Sequence, residues 1–233
     1  MPRILATTSW DDGDPLDLRL ASVLASRGAS GTFYVCRSYD ARPVLSPSAL
    51  RDLADVPGVD VGCHTLTHPD LRRTPSLADE VSPSWLCDVL GGDVTSFCYP
   101  KGLHSPRVVS AVRAAGYRVA RTTMGGCTSL STPLRMATTA QLYPHRRSTQ
   151  VRHAVKERDW RGLRSVLTVP WSLSPSELLR AYAARASSDP VVLHVWGHSW
   201  EVEEHGLWDE LSRVLDTIES LGATWVTNAE LAA

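Results

Sequence analysis

Three carboxylates crowd into Trp10-Asp11-Asp12-Gly13-Asp14-Pro15, directly behind a short apolar run near the N-terminus. Like charges this close raise one another's pKa unless a cation or a shared proton relieves them, and a bound metal is the simplest relief. Further ligands stand in Gly62-Cys63-His64-Thr65-Leu66-Thr67-His68-Pro69, where the two histidines follow a second apolar run, Val59-Asp60-Val61. One aspartate and two histidines make an open three-ligand site, which leaves coordination positions for water and substrate as catalytic zinc and related divalent sites do. His-x-x-x-His alone also occurs on surfaces and in cores, so the weight rests on its coincidence with the acidic cluster. A zinc-protease helix is excluded, because that motif needs Glu directly after the first histidine and Thr65 stands there.

Two later stretches carry further polar chemistry: Phe97-Cys98-Tyr99-Pro100-Lys101-Gly102, and Leu193-His194-Val195-Trp196-Gly197-His198-Ser199-Trp200-Glu201. Together the four stretches resemble the NodB-type polysaccharide deacetylase family, also called carbohydrate esterase family four, across most of the chain. Ser9 to Gly13 is similar to that family's first motif, usually Thr-Phe-Asp-Asp-Gly, which implies Asp11 as catalytic base and Asp12 as metal ligand. His64 to His68 is similar to the second motif, whose histidines complete the metal site. The stretch around Pro100 resembles the third, with Lys101 in its Tyr position. The resemblance implies the Lys101 N–H as oxyanion donor, with Tyr99 beside it in the substrate-binding set. Cys98 stands where many members carry an Arg that pairs with the base, so Arg121 or Lys101 must supply that support.

The stretch from Leu193 resembles the motif that presents the general-acid histidine. His194 and His198 share one strand face by period two. His198, at the strand end, is the better placed to reach a site and is preferred as the acid, whereas His194 lies deeper and orients neighbours. Glu201 fixes the His198 tautomer or binds substrate. Of the family's fourth motif, an Asp-rich segment ending in Trp, only Asp159-Trp160 is present.

These residues need elements to hold them. Arg3 to Trp10 reads as a strand, Leu16 to Arg27 as a helix closed by Gly28, Thr32 to Val35 as a strand, a helix starts at Ser46-Pro47-Ser48, and Val59 to Val61 is a third strand. Pro69 opens a helical region reaching about Gly91, broken at Pro75 and Pro83. Thr95 to Tyr99 and Tyr117 to Thr122 read as strands around a helix begun by Ser105-Pro106. From about 125 to 164 the pattern dissolves into a long, partly structured insertion, in which His145-Arg146-Arg147 and Lys156 to Arg158 are basic clusters of the kind usually solvated. Val166 to Trp171 reads as a strand, Ser174 to Glu177 as a helix start, Val191 to Trp196 as a strand, Trp208 to Leu221 as a helix and Thr224 to Thr227 as the closing strand. Such alternation favours a parallel sheet under helical cover, closed into a barrel or doubly wound. The family resemblance implies an α/β fold, a distorted (β/α) barrel of about seven strands. Asp11, Asp12, His64, Tyr99, Lys101 and His198 all follow expected strands, which puts them at one mouth.

At 233 residues and 43% hydrophobic, the chain suits one domain spanning 1–233. A net charge of -1 with charges intermixed shows no nucleic-acid footprint and favours a small or neutral substrate. The apolar run at Ile4-Leu5-Ala6 is too short for a signal peptide or membrane insertion, and a cytoplasmic location is expected. Five cysteines without CxxC spacing read as packed thiols. The reading that follows is a metal-dependent hydrolase removing an acetyl group from an N-acetylated amino sugar, as a small molecule or oligosaccharide. Its cofactor is one divalent ion, zinc first, with cobalt, nickel or manganese as alternatives. Trp10, Trp171, Trp196 and Trp200 could stack on sugar rings. Rival readings are a glycosyltransferase using Asp12-x-Asp14, a metal-free amide or cyclic-imide hydrolase, and a catalytically silent sugar-binding relative.

Overall fold

Thr7, Thr8 and Trp10 favour extended backbone, and they form the middle of the central strand β1 (Ile4–Asp12), which is buried from Ala6 onward. The structure is a computed structural model; it describes residues 3–143 and 173–232, and between them 151, 155, 160, 163, 164 and 167. The remaining strands are β2 (Gly31–Val35), β3 (Val59–Cys63), β4 (Ser96–Cys98), β5 (Val119–Arg121), β6 (Ala140–Gln141), β7 (Val191–Gly197) and β8 (Thr224–Trp225). All pairings are parallel, in the order β5-β4-β3-β2-β1-β7-β6, with β8 beside the first half of β1.

Residues 136–142 join the two edges of this curled sheet. Next to β5, Met136 N–H donates to Ala120 O and Thr122 N–H to Met136 O, both at 2.8 Å. Next to β7, Thr139 N–H donates to His194 O and Leu142 N–H to Trp196 O, both at 2.8 Å. The result is the expected distorted (β/α) barrel, with β8 outside a seven-strand ring. The first part of the stretch read as an irregular insertion thus contributes a ring strand, β6. Of the strand expected over 166–171 only Leu167 is described, and it is helical. The basic clusters at 145–147 and 156–158, Asp159 and Trp171 lie outside the described residues.

The helices are α1 (Asp17–Ser26), α2 (Pro47–Ala54), α3 (Leu77–Glu80), α4 (Ser84–Leu90), α5 (Pro106–Ala114), α6 (Pro175–Arg185), α7 (Ser199–Glu204), α8 (Trp208–Ser220) and α9 (Asn228–Leu231). Their starts follow the local chemistry. Ser46 and Ser105 accept the N–H of Ala49 and Val108 with Pro at the first helical position, and Ser174 with Glu177 forms a capping box. Leu20 and Leu24 of α1, Val108 and Val112 of α5, and Leu211, Leu215 and Ile218 of α8 bury their stripes against the outside of the sheet. No described helix is long and apolar enough to cross a membrane.

The apolar core therefore lies between strands and helices, and the inside of the ring is polar. Strand side chains alternate faces, so Thr7, Ser9 and Asp11 of β1 point one way. They meet Asn228 at 3.0 Å, His194 Nε2 at 2.9 Å and the Arg121 guanidinium respectively. Tyr34 of β2 receives the Asn228 amide at 2.9 Å. This column ends at the mouth with Asp11 and Arg121.

Candidate metal centre and catalytic site

Alternation along β1 would send Asp12 to the face occupied by Trp10. Its backbone instead turns left-handed, with φ +81°, followed by Gly13 at +74°. A side chain at Gly13 would also bring a Cβ within 3.0 Å of Val35 Cβ. The non-glycine residues with left-handed backbone among those described are Asp12, Thr65, His68 and Lys101, and all belong to the loops at the mouth. Such conformations persist only where surrounding structure enforces them, and they concentrate at functional sites.

Asp12 Oδ1 lies 3.7 Å from His64 Nε2 and 3.6 Å from His68 Nε2. The His64 Nδ1–H donates to Cys98 O at 2.9 Å, which fixes the tautomer that leaves the Nε2 lone pair facing Asp12. Burial pushes the pKa of both histidines down, to about 4, so both imidazoles are neutral. Asp12 Oδ1 is buried and has no hydrogen-bond partner. An orphaned carboxylate oxygen between two imidazole lone pairs fits a divalent cation, and the ligand atoms of Asp12, His64 and His68 lie within 4.8 Å of one another. A second cluster, Asp11, His64 and Cys98, is equally close. It fits an ion less well, because burial holds the Cys98 thiol well above its ordinary pKa and Asp11 is already engaged.

That engagement is with Arg121, fully buried on β5. Burial alone would raise the Asp11 pKa, but the guanidinium, helped by His64 and His198, brings it below the usual carboxylate value. Cys98 fills the space on the other side, its Sγ 3.8 Å from Asp11 Oδ2. Cys98 and Arg121 are register partners across β4 and β5, so the cation expected at position 98 is supplied from the next strand. Lys101 is exposed and does not take this role. Its own backbone sits at φ +57°, and its N–H has no acceptor among the described residues. Gly102 holds the turn at φ +70°, where a Cβ would fall 2.1 Å from Thr123 Oγ1.

The two candidate acids separate clearly. His194 is buried in the ring, and its pKa is pushed down to about 3, by burial first and then by Arg121. His198 stands at the end of β7 with Nε2 3.9 Å from Asp12 Oδ2, and its Nδ1–H donates to the buried Glu201 carboxylate at 2.7 Å. Burial opposes its charge, but Glu201, Asp12 and Asp11 together raise its pKa. Ser199 anchors this turn by donating to buried Asp17 at 2.6 Å.

The model of the polysaccharide deacetylase family matches residues 2–120. The chain belongs to that family. Its members are hydrolases acting on amide carbon–nitrogen bonds, and the stretch matched contains Asp11, Asp12, His64, His68 and Lys101. No curated protein matches by sequence. Among solved structures, the chitin deacetylase of Colletotrichum lindemuthianum is 17% identical with TM-score 0.63, over 99% of this chain and 88% of that one. The Streptococcus pyogenes deacetylase PplD is 21% identical with TM-score 0.51, over 56% of this chain and 62% of that one. The Bacillus cereus polysaccharide deacetylase BC0361 is 24% identical with TM-score 0.49, over 56% of this chain and 45% of that one. This chain thus spans less than two thirds of the latter two, and at these identities the likeness to the first two is one of fold.

Three expectations drawn from the sequence are corrected. Tyr99 is fully buried and donates its phenol to Leu134 O at 2.9 Å, so it braces the wall and does not face substrate. Trp10 is fully buried, its Nε1–H donating to Thr8 Oγ1 at 3.0 Å, and offers no sugar platform. Asp14 caps the turn into α1, its carboxylate accepting Leu16 N–H at 2.9 Å, and is not part of the Asp12 cluster. Trp200 is half-buried and already employed: its Nε1–H donates to Asp12 Oδ2 at 3.1 Å, its ring lies against His198, and Arg42 covers it at 3.6 Å. Trp196, half-buried, has Arg121 at 4.8 Å from its ring centre.

Sequence reasoning missed Glu80. This buried carboxylate accepts Leu66 N–H at 3.0 Å, Thr67 N–H at 3.0 Å and the Thr67 hydroxyl at 2.7 Å, so it organises the whole loop between the two histidines. Outer-shell carboxylates of this kind typically govern metal affinity by about 10–100-fold. Glu80→Ala is accordingly expected to weaken zinc binding by about that factor in a calorimetric titration. An unchanged affinity would show that the loop keeps its shape without it.

Proposed function

We propose that the protein is a divalent-metal-dependent deacetylase that releases acetate from an N-acetylated amino sugar. The observation that carries this reading is the orphaned Asp12 Oδ1 facing two neutral imidazoles, with a carboxylate held ionised by Arg121 on one side and a histidine held by Glu201 on the other. Asp12, His64 and His68 would hold the ion. Bound there, a divalent ion supplies Lewis-acid polarisation of the acyl carbonyl. Asp11 accepts the proton of the attacking water, its own charge maintained by Arg121. The Lys101 N–H donates to the oxygen that gains charge as the carbonyl carbon becomes tetrahedral. His198, oriented through Nδ1 by Glu201, gives its Nε2 proton to the leaving amine. With Asp14 committed to the α1 turn, the Asp12-x-Asp14 glycosyltransferase reading loses its second carboxylate. The intact ligand set argues in the same way against the metal-free and silent alternatives.

Elemental analysis beside an acetate-release assay on N-acetylglucosamine oligosaccharides tests the reading. About one divalent ion per chain and turnover are expected for the native protein, and both should vanish in Asp12→Ala. A native protein that stays metal-free after incubation with zinc, cobalt, nickel or manganese would overturn it.

A further inference from the structure

The near-neutral charge of the whole chain conceals a local imbalance. On α5, Pro106, Val109, Ser110 and Arg113 fall on one stripe by helical spacing. This stripe forms one wall of a cleft of about 630 Å³, whose other walls carry Arg72 and Arg135. Three arginines and His104 line the cleft, and among the described residues no Asp or Glu does. Arg72 is held by Asp70 through hydrogen bonds of 2.9 and 2.8 Å, which fixes its position and balances its charge. Arg113 and Arg135 are exposed, and neither forms an ion pair with any described carboxylate. The His104 Nδ1–H donates to Gly102 O at 3.0 Å and its ring packs on Tyr99 at 5.3 Å, which leaves Nε2 for a ligand.

Two walls of the cleft are tied along the chain to segments that begin at the mouth. Arg72 lies on the loop that begins at His68, and His104 on the turn that begins at Lys101. Two guanidinium groups without a described carboxylate partner line this one cleft and make it locally positive, and each offers the fork of N–H donors that matches a phosphate. A neutral sugar would leave both charges unanswered.

We propose that this cleft binds a phosphate group carried by the substrate, so that the amino sugar presented at the mouth is a phosphorylated one. The identity of the reaction rests on the deacetylase reading above; the binding does not. The test is calorimetric titration of the metal-loaded protein with an N-acetylamino-sugar 1-phosphate, a nucleoside-diphosphate N-acetylamino sugar and an uncharged N-acetylated oligosaccharide. The doubly substituted Arg113→Ala/Arg135→Ala protein should bind both phosphorylated probes at least about tenfold more weakly and the uncharged one unchanged. Arg113→Lys/Arg135→Lys, which keeps the charge and loses the fork of donors, should bind the phosphorylated probes with an affinity between those of the native and alanine proteins. Which phosphorylated probe binds more tightly tells whether the phosphate comes attached to a nucleoside. No binding of either by the native protein, equal affinity in native and alanine proteins, or equal loss for the uncharged oligosaccharide would overturn the proposal. Absence of acetate release from every acetylated sugar, with the phosphate effect intact, would refute the deacetylase reading alone.

Discussion

An Asp11→Asn variant is expected to lose about a hundredfold to ten-thousandfold in turnover while retaining its divalent ion at one per chain. Asp11 is buried at 4% exposure and yet ionised: burial raises its pKa, and the Arg121 guanidinium together with His64 and His198 outweighs that effect. It is therefore a base available throughout the neutral range. Asparagine keeps the shape and can still accept a hydrogen bond from Arg121, but it cannot take a proton from water. The ligand set of Asp12, His64 and His68 does not include it. Elemental analysis and acetate-release kinetics on the same preparation separate the outcomes. Turnover within tenfold of native would remove Asp11 as the base, and loss of the ion would make it a ligand instead.

Arg121→Leu is expected to cost about 3–5 kcal/mol of stability, the usual consequence of leaving one member of a buried ion pair without its partner. At roughly 2–4 °C per kcal/mol for a chain of this size, the unfolding midpoint should fall by about 6–20 °C. The physical cause is specific: Arg121 is fully buried and its guanidinium is the cation that holds Asp11 charged. The double variant Asp11→Asn/Arg121→Leu should then recover part of the loss, since neither charge remains to be buried alone. Thermal unfolding of the metal-free proteins reads this without stabilisation by a bound ion. If the double variant is as unstable as the sum of the singles, the pair is not coupled and contributes nothing through its charge.

What was legible in the sequence was the chemistry that sits at strand ends. Asp11 and Asp12 follow a β-forming run, His64 and His68 follow another, and His198 ends a third, so their convergence follows from a parallel barrel. Side-chain direction was the weaker reading. Neighbouring strand residues point to opposite faces, so once Asp11 and Cys98 face the ring interior, Trp10 and Tyr99 must face the helices. Arg121 could be named only as one of two options, because its contact with Asp11 depends on the register that sets Cys98 opposite it. Glu80 left no local signal, since a carboxylate on the short helix α3 looks solvated until the loop at 66–67 folds over it. Strand β6 escaped because two residues, Ala140 and Gln141, carry no periodicity at all, and its ring position is set by hydrogen bonds to distant neighbours.

The pairing of β1 has a consequence for how the molecule comes off the ribosome. Thr8 lies between Gly31, made soon after it, and Val195, made much later. Until β7 emerges, β1 of the nascent chain has one open edge of hydrogen-bonding groups, and contacts of such long sequence separation form slowly. The three proposed metal ligands, Asp12, His64 and His68, all precede β7, and His198 follows it. A growing chain can thus gather the proposed ion-binding residues well before it owns the proposed proton donor, which arrives only when β7 pairs with β1.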